Sequence, residues 1–234
     1  MKKVIFMFAA LAMAAFSFAG NKPAPEKMKI DPKNSSLLWK GYKVTGSHEG
    51  AVSLKGGELT FDGGKLVGGN FEIDMNSMTC TDLPADAAPK LLGHLKTDDF
   101  FGVEKNPTAS FVITNSEPKG SGRYAVTGDL TIKGVKQEVK FDAQADSKSA
   151  TAKFKVDRTK FGIRYGSGSF FENLGDKAIS NEFDMTIKLA TESVAPPAAA
   201  VSTSTTTNTV NGDNPVKKGK KSKKMKAAPA PNKN

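Results

Sequence analysis

Cysteine, histidine and tryptophan are scarce in this chain of 234 residues, which has one Cys, two His and one Trp. A single cysteine, Cys80, excludes an intramolecular disulfide framework and a zinc site built from several thiolates. So few His and Cys also disfavour most transition-metal enzymes. We therefore expect no metal site, and we interpret Cys80 as a small buried residue rather than a reactive thiol.

The chain also lacks a basic central domain, although its formal net charge is +10. Two Lys lie at the N-terminus, and residues 191–234 contain eight Lys against two acidic residues. Residues 20–190 carry 24 basic and 22 acidic side chains, so their net charge is only +2. Because nucleic-acid-binding domains are strongly basic over at least one face, we expect no nucleic-acid partner.

Residues 1–19 have the composition of a secretory signal peptide. Lys2 and Lys3 are followed by a mostly apolar run over residues 4–19, shorter than the ~20 residues of a membrane-spanning helix. Ser17 and Ala19 are small residues at the −3 and −1 positions of a cleavage site after Ala19. The sequence predicts a cleaved signal peptide and a periplasmic or secreted protein, with an uncleaved anchor as the alternative.

The segments that flank the central region differ from it in composition. We interpret residues 20–34 as an N-terminal linker. Residues 191–234 are rich in Pro, Ala, Ser, Thr and Lys and contain no aromatic residue, a composition typical of disorder. We expect this Lys-rich tail to be a solvated appendage or, alternatively, to be attracted to an anionic membrane surface, with a strength that falls as salt rises.

Residues 35–190 alternate between apolar and polar side chains, and this period of two indicates strands with one buried and one solvated face. The pattern predicts eight strands, near residues 36–46, 51–62, 65–75, 108–116, 122–132, 136–145, 150–157 and 182–190. Turn signals are present at Gly56-Gly57, Asp62-Gly63-Gly64, Gly120-Ser121-Gly122 and Lys133-Gly134.

One amphipathic helix is predicted between strands 3 and 4. Asp82 suits its N-cap, Pro84 suits its start, and apolar residues follow a helical period at Ala88, Leu91, Leu92 and Leu95. Eight antiparallel strands joined by short turns favour an all-β, up-and-down barrel, because closure removes exposed sheet edges. A β-sandwich is the alternative architecture.

No motif of a catalytic class is present. The Gly-Ser-rich run over residues 165–171 does not match the G-x-S-x-G turn of serine hydrolases, and Phe171 stands where G-x-G-x-x-G needs its third glycine. His94 and Asp98 have the i, i+4 spacing of metal ligands, but a structural hydrogen-bonding role is commoner for such a pair. We therefore expect no catalytic residues and a protein that is not an enzyme.

Four sequence blocks occur in order along the central region. They are residues 94–101 (HLKTDDFF), 107–111 (PTASF), 128–135 (GDLTIKGV) and 157–162 (DRTKFG). Together they closely resemble the YceI-like family of exported lipid- or polyisoprenoid-binding proteins, over residues 37–189. The resemblance implies an eight-stranded antiparallel lipocalin-like barrel that encloses an extended isoprenoid chain in an apolar channel. It implies no catalytic residues.

A channel lined by apolar side chains makes no hydrogen-bond demand on its ligand, which suits a polyprenyl chain. Strand alternation predicts ten channel-lining residues: Phe71, Ile73, Phe111, Leu130, Ile132, Phe141, Phe154, Val156, Phe183 and Ile187. We expect no resident cofactor, and an isoprenoid lipid or quinone as the occupant. Two alternatives stay open: an envelope structural or stress-response protein whose barrel is filled by its own side chains, and a redox accessory that presents a quinone to a membrane partner.

Three residues are candidates for binding a charged head group. The chain has only three Arg, and two of them, Arg158 and Arg164, lie in one predicted loop. A guanidinium group binds phosphate or carboxylate through two parallel hydrogen bonds, and Tyr165 adds a phenolic hydroxyl beside it. The alternative for Arg158 is an ion pair with Asp157 or Asp176 that holds the loop in place.

Overall fold

The computed structural model describes residues 23–192. They form eight strands, β1 (Glu26–Lys43), β2 (Gly46–Asp62), β3 (Lys65–Asp74), β4 (Thr108–Gly120), β5 (Arg123–Ile132), β6 (Val135–Ala145), β7 (Ser149–Asp157) and β8 (Ile179–Thr191), with helix α1 (Ala88–Lys96) between β3 and β4. Short 3-10 helices occupy Met75–Ser77, Arg158–Phe161 and Gly175–Lys177. The predicted signal peptide and residues 193–234 of the predicted tail lie outside the described residues. Within residues 23–192, no helix has the length and hydropathy needed to cross a membrane.

The eight strands form one closed antiparallel barrel. Each strand pairs with its neighbour along the chain, and β8 pairs with β1 from Ile30↔Thr191 to Lys43↔Ile179. This arrangement confirms the predicted all-β, eight-stranded antiparallel barrel with one short helix between strands 3 and 4, and it rules out the sandwich. Closure pairs the backbone N–H and C=O groups that the edge strands of an open sheet would expose.

The connections divide the barrel into two different ends. The end that we call the turn end has only short connections, at residues 63–64, 121–122 and 146–148. The opposite end, which we call the loop end, has two short turns and two long connections, at residues 44–45, 133–134, 75–107 and 158–178. Helix α1 therefore lies at the loop end.

The wall is least regular between β6 and β7. These strands pair only from Ala143↔Ala152 to Ala145↔Ala150, the shortest ladder among the described strands. Nearer the loop end, the Phe141 and Phe154 rings stack across the seam with their centroids 4.3 Å apart. Side-chain packing thus replaces backbone hydrogen bonds along most of this seam.

Strand β1 begins ten residues before the predicted start at residue 36, and the predicted linker over residues 20–34 is wrong for most of its length. The register of β1 against β8 shifts between Asp31 and Ser36. At this irregularity the Asp31 carboxylate accepts hydrogen bonds from the backbone N–H groups of Lys33 and Asn34. A bulge interrupts alternation without ending a strand, so the sequence there is typical of a loop.

The predicted turn at Gly56-Gly57 is also wrong, because both glycines lie inside β2 beside a register shift. A Cβ atom on Gly57 would lie 2.6 Å from the Asn70 carbonyl oxygen and 2.8 Å from the Phe71 ring. Glycine at this position therefore permits β3 to approach closely. The other three predicted turns connect strands as expected.

Asp82 does not cap α1, which begins at Ala88 after an N-cap residue, Ala87, with no side-chain cap. The Asp82 carboxylate instead accepts a 3.0 Å hydrogen bond from the Glu49 backbone N–H and lies 2.9 Å from His48 Nδ1. The Glu49 bond is the main reason that the pKa of Asp82 lies well below its usual value. Asp82 thus links the connection before α1 to β2 through hydrogen bonds.

Cys80 lies in the same connection and is half-buried. Its thiol donates to the Asp82 carboxylate at 3.1 Å. Burial, followed by this hydrogen bond, raises the pKa of the Cys80 thiol, which lowers its thiolate fraction and its reactivity.

The first prediction concerns the inward face of β5. Ile132 is buried, whereas the neighbouring Thr131 is more exposed. Ile132→Asp would bury an unpaired carboxylate, so we expect it to lower the free energy of unfolding by about 4 kcal/mol or more. Thr131→Asp is the matched control, and urea unfolding followed by circular dichroism measures both. Equal stabilities of the two variants would show that Ile132 does not face the interior.

Candidate functional site

The barrel encloses a cavity of about 360 Å³. Aliphatic and aromatic side chains from all eight strands line it, together with Leu91 and Leu95 of α1. The volume lies within the ~300–1,000 Å³ of ordinary small-molecule sites. The inward side chains therefore leave internal space, which argues against a barrel filled by its own residues.

All ten residues predicted from strand alternation to face the channel lie on the wall of this cavity: Phe71, Ile73, Phe111, Leu130, Ile132, Phe141, Phe154, Val156, Phe183 and Ile187. Their contact with a lipid stays a prediction. Other lining residues were not predicted, including Trp39 of β1, Leu54 of β2 and Phe101 after α1. The interrupted alternation of β1 and β2 concealed the first two, and Phe101 lies in an irregular segment.

A row of four phenylalanine rings forms one side of the cavity. The centroids of Phe71 and Phe111 are 6.2 Å apart, those of Phe111 and Phe141 are 5.6 Å apart, and Phe154 follows in the stack described above. The Phe111 ring lies across β5 at Gly128, where a Cβ atom would come within 2.4 Å of it. Gly128 therefore provides the space in which Phe111 packs against the wall rather than across the cavity.

Packed side chains from β2, β3 and β5 fill part of the turn end. The side chains of Leu59, Phe61 and Leu66 are at most 3% exposed. Tyr124 lies among them at 5% exposure, and its hydroxyl accepts a 3.3 Å hydrogen bond from the Leu66 backbone N–H. Thr151, near the start of β7, is the exposed polar residue of the cavity lining closest to this end.

The lining becomes polar at the loop end. Apart from Thr151, the polar and charged lining residues are all at this end: Tyr42, Lys43, His48, Arg158, Ser180 and Glu182. Lys43, Ser180 and Glu182 are exposed to solvent, so the cavity opens between the first hairpin and the start of β8. We call this opening the mouth.

Two of the mouth side chains already have polar partners. The Tyr42 hydroxyl donates a 2.6 Å hydrogen bond to the Asp184 carboxylate, and His48 contacts Asp82. The bond to Asp184 is the main cause of the raised pKa of Tyr42. Asp184 also accepts from Lys155, and the two hydrogen bonds, from Lys155 first and from Tyr42 next, lower its pKa.

Arg158 is 5% exposed and acts as an anchor for the loop over residues 158–178. Its guanidinium donates hydrogen bonds of 2.8–3.0 Å to four backbone carbonyls, those of Ile163, Tyr165, Ile179 and Ser180. Burial is the main cause of its lowered pKa. Arg158 therefore holds the loop, as one hypothesis expected, but through carbonyls and not through the expected ion pair with Asp157 or Asp176.

The other two head-group candidates lie outside the cavity, on the exposed surface of the loop end. The Arg164 guanidinium lies over the Phe170 ring, 4.7 Å from its centroid. The Tyr165 ring packs edge-on against the His94 ring, with centroids 4.7 Å apart, and is tilted against the Phe100 ring, with centroids 5.3 Å apart. The side chains of Arg164 and Tyr165 therefore do not line the cavity beside Arg158, which contacts this pair through the backbone carbonyl of Tyr165.

His94 and Asp98 do not form a joint ligand pair. His94 Nε2 lies 3.4 Å from the Asp99 carboxylate, and Asp98 is paired with Lys105. Within residues 23–192, no group of three or more His, Cys, Asp or Glu side chains is arranged to hold a metal ion.

The fold and the sequence define one family of small barrel proteins: this chain belongs to the YceI-like domain family, whose model matches residues 28–191. A UPF0312 protein of Shewanella denitrificans is 34% identical to it over 87 residues, 37% of this chain and 44% of that protein. A UPF0312 protein of Pseudomonas putida is 30% identical over 142 residues, 58% of this chain and 70% of that protein. The crystal structure of BcnA from Burkholderia cenocepacia has a similar fold, with a TM-score of 0.54 at 22% sequence identity, over 68% of this chain and 98% of that chain.

The second prediction separates the two arginines of the loop. Arg158→Met leaves four buried or half-buried carbonyls without their donor, so we expect it to lower the free energy of unfolding by about 3 kcal/mol. Arg164→Met removes an exposed side chain and is expected to change stability by less than about 0.5 kcal/mol. Urea unfolding of both variants tests this. An Arg158→Met variant as stable as the Arg164→Met variant would contradict the anchoring role.

Proposed function

We propose that this protein is an exported, non-catalytic carrier that encloses an apolar, isoprenoid-type lipid in its barrel. The observation that carries the proposal is the distribution of polarity in the cavity. Apolar side chains form its body, and all but one of its polar side chains lie at the mouth. An isoprenoid lipid has the matching distribution, with a long apolar chain and one polar end.

The energetics favour such a ligand. No charged side chain lines the cavity away from the mouth. A hydrocarbon chain bound there would therefore not remove a charge from water. Burial of several hundred Å² of apolar surface at ~25 cal/mol/Å² contributes on the order of 10 kcal/mol before the losses of ordering. The aromatic row offers broad faces against which a methyl-branched chain packs. A quinone with an isoprenoid tail meets the same conditions and belongs to the proposed ligand class.

The polar groups at the mouth are consistent with binding of a ligand's polar end. His48 is held by Asp82, the Tyr42 hydroxyl is bonded to Asp184, and Arg158 is bonded to four carbonyls. Polar groups fixed in this way suit recognition of a ligand's polar end. The resemblance of the sequence to a family of lipid- or polyisoprenoid-binding proteins supports the same conclusion.

Export is part of the proposal. Its support is the amino-acid composition of residues 1–19, which combines two Lys with an apolar run and small residues before a cleavage position. In the periplasm or outside the cell, a carrier would hold a lipid that is otherwise confined to membranes.

The third prediction tests occupancy of the cavity with all-trans-retinol, a fluorescent isoprenoid alcohol. Ala152 lines the cavity next to Ala143 and Ile187, whereas the following residue, Lys153, points outward. Ala152→Trp fills part of the cavity and is expected to weaken retinol binding at least tenfold, about 1.4 kcal/mol. Lys153→Trp adds the same side chain outside the barrel and is expected to leave binding unchanged.

Fluorescence titration measures both variants, and circular dichroism verifies that each is folded. Saturable binding that Ala152→Trp weakens and Lys153→Trp does not supports the carrier. Absence of saturable binding by the unaltered protein, or equal affinities for the two Trp variants, would contradict it.

A further inference from the structure

We propose that the loop end is a docking surface for a lipid bilayer, formed by Val44, Tyr165, Phe170 and Phe171 together with Arg164. We call these five residues the loop-end patch. The patch would bring the mouth to the membrane, so that a ligand passes between bilayer and cavity without crossing bulk water. The docking is inferred from the exposed surface alone. The transfer of ligand, in contrast, rests on the proposed function.

Four of the five residues of the patch have aromatic or aliphatic side chains that the fold leaves largely exposed. Phe171 is 51% exposed, Phe170 and Tyr165 are each 45% exposed, and Val44 is 64% exposed. Phe170 and Phe171 are adjacent in the loop, and their rings are not part of the hydrophobic core. Large apolar side chains grouped on a surface mark an interaction site more often than isolated ones do.

The patch lies beside the mouth, as the hydrogen bonds of its two segments show. The Ile179 backbone N–H donates to the Gly166 carbonyl at 2.7 Å, and the Val44 N–H donates to the Ala178 carbonyl at 3.2 Å. Both segments are thus attached at the start of β8, where Ser180 and Glu182 line the cavity. The two segments that carry the patch therefore lie next to the opening of the cavity.

The loop that carries the phenylalanines is held by internal hydrogen bonds. Ser167 is fully buried, and its hydroxyl donates to the Asn181 side-chain oxygen at 2.6 Å. The backbone N–H groups of Phe170 and Phe171 both donate to the Ser167 carbonyl at 3.0 Å. The two rings thus project from an ordered backbone, which reduces the entropy lost on docking.

The chemistry of the patch suits a bilayer. Phenylalanine partitions into the acyl boundary, and tyrosine prefers the level of the head groups. Arg164 lies over the Phe170 ring, where it can meet a lipid phosphate as the ring enters the bilayer. The loop that carries the phenylalanines has charges of both signs near them, including Arg164, Glu172, Asp176 and Lys177.

The kind of interaction distinguishes the patch from the Lys-rich tail. Attraction of the tail to anionic lipid would fade with salt, because mobile ions screen exposed charges. Docking through the patch depends on apolar insertion, so it is expected on neutral vesicles and at high salt. Phosphatidylcholine vesicles in 0.5 M NaCl therefore isolate the contribution of the patch.

The fourth prediction compares two double variants of the full chain by co-sedimentation with phosphatidylcholine vesicles in 0.5 M NaCl. Phe170→Ser with Phe171→Ser is expected to lower the partition coefficient at least tenfold. Val67→Ser with Val112→Ser removes two residues that are each 46% exposed on the barrel wall, and it is expected to change the coefficient less than twofold. Retinol transfer from the vesicles should slow at least fivefold in the first variant only.

Retinol affinity in solution distinguishes this inference from the proposed function. The Phe170→Ser, Phe171→Ser variant should bind retinol as the unaltered protein does, because neither ring lines the cavity. Vesicle docking without any retinol binding would leave the docking surface standing and overturn the carrier function and the transfer with it. Failure of the unaltered protein to bind the vesicles, equal partition of the two variants, or a dimer that dissociates when the two Phe are replaced would overturn the docking surface.

Discussion

The interior of this protein depends on the pairing of β8 with β1, which closes the sheet into a barrel. Closure satisfies the backbone polar groups within the wall, so side chains alone decide the character of the interior. Because every second residue of a strand points inward, the alternation that folds the sheet also produces an apolar cavity. Fold and candidate binding site are therefore one structure, and no separate set of residues is needed to build the site.

The two ends of the barrel differ in their connections and in the polarity of the side chains near the cavity. The turn end has short turns and buried aliphatic side chains such as Leu59 and Leu66. At the loop end, the long connection after β7 requires an anchor, and the buried Arg158 provides it through backbone carbonyls. That connection also carries Phe170 and Phe171 beside the mouth. The turn end is thus packed with buried side chains, and the loop end combines an opening, a polar rim and an apolar surface.

Much of the fold and of the cavity wall could be predicted from sequence, because a period of two is a local property. Phe71 and Ile187 lie on different strands, yet each was assigned inward by its own neighbours alone. The partners of Arg158 are carbonyls, which leave no trace in the sequence, and its expected acidic partner was therefore wrong. Tyr42 of β1 and Glu182 of β8 both line the mouth, although they are far apart in the sequence. They lie at the same opening because β1 pairs with β8. The early start of β1 was missed because the bulge at Asp31 has the composition of a loop.

The central claim is that the barrel holds an apolar lipid in place of further side chains. The most direct test is mass spectrometry of an organic extract of the natively purified protein. An extract of delipidated protein, prepared in the same way, is the control. The account predicts a lipid with an isoprenoid chain at close to one molecule per protein, absent from an extract of the Ala152→Trp variant prepared in parallel. An extract without stoichiometric lipid, from folded protein that also binds none when isoprenoid lipids are supplied, would contradict it.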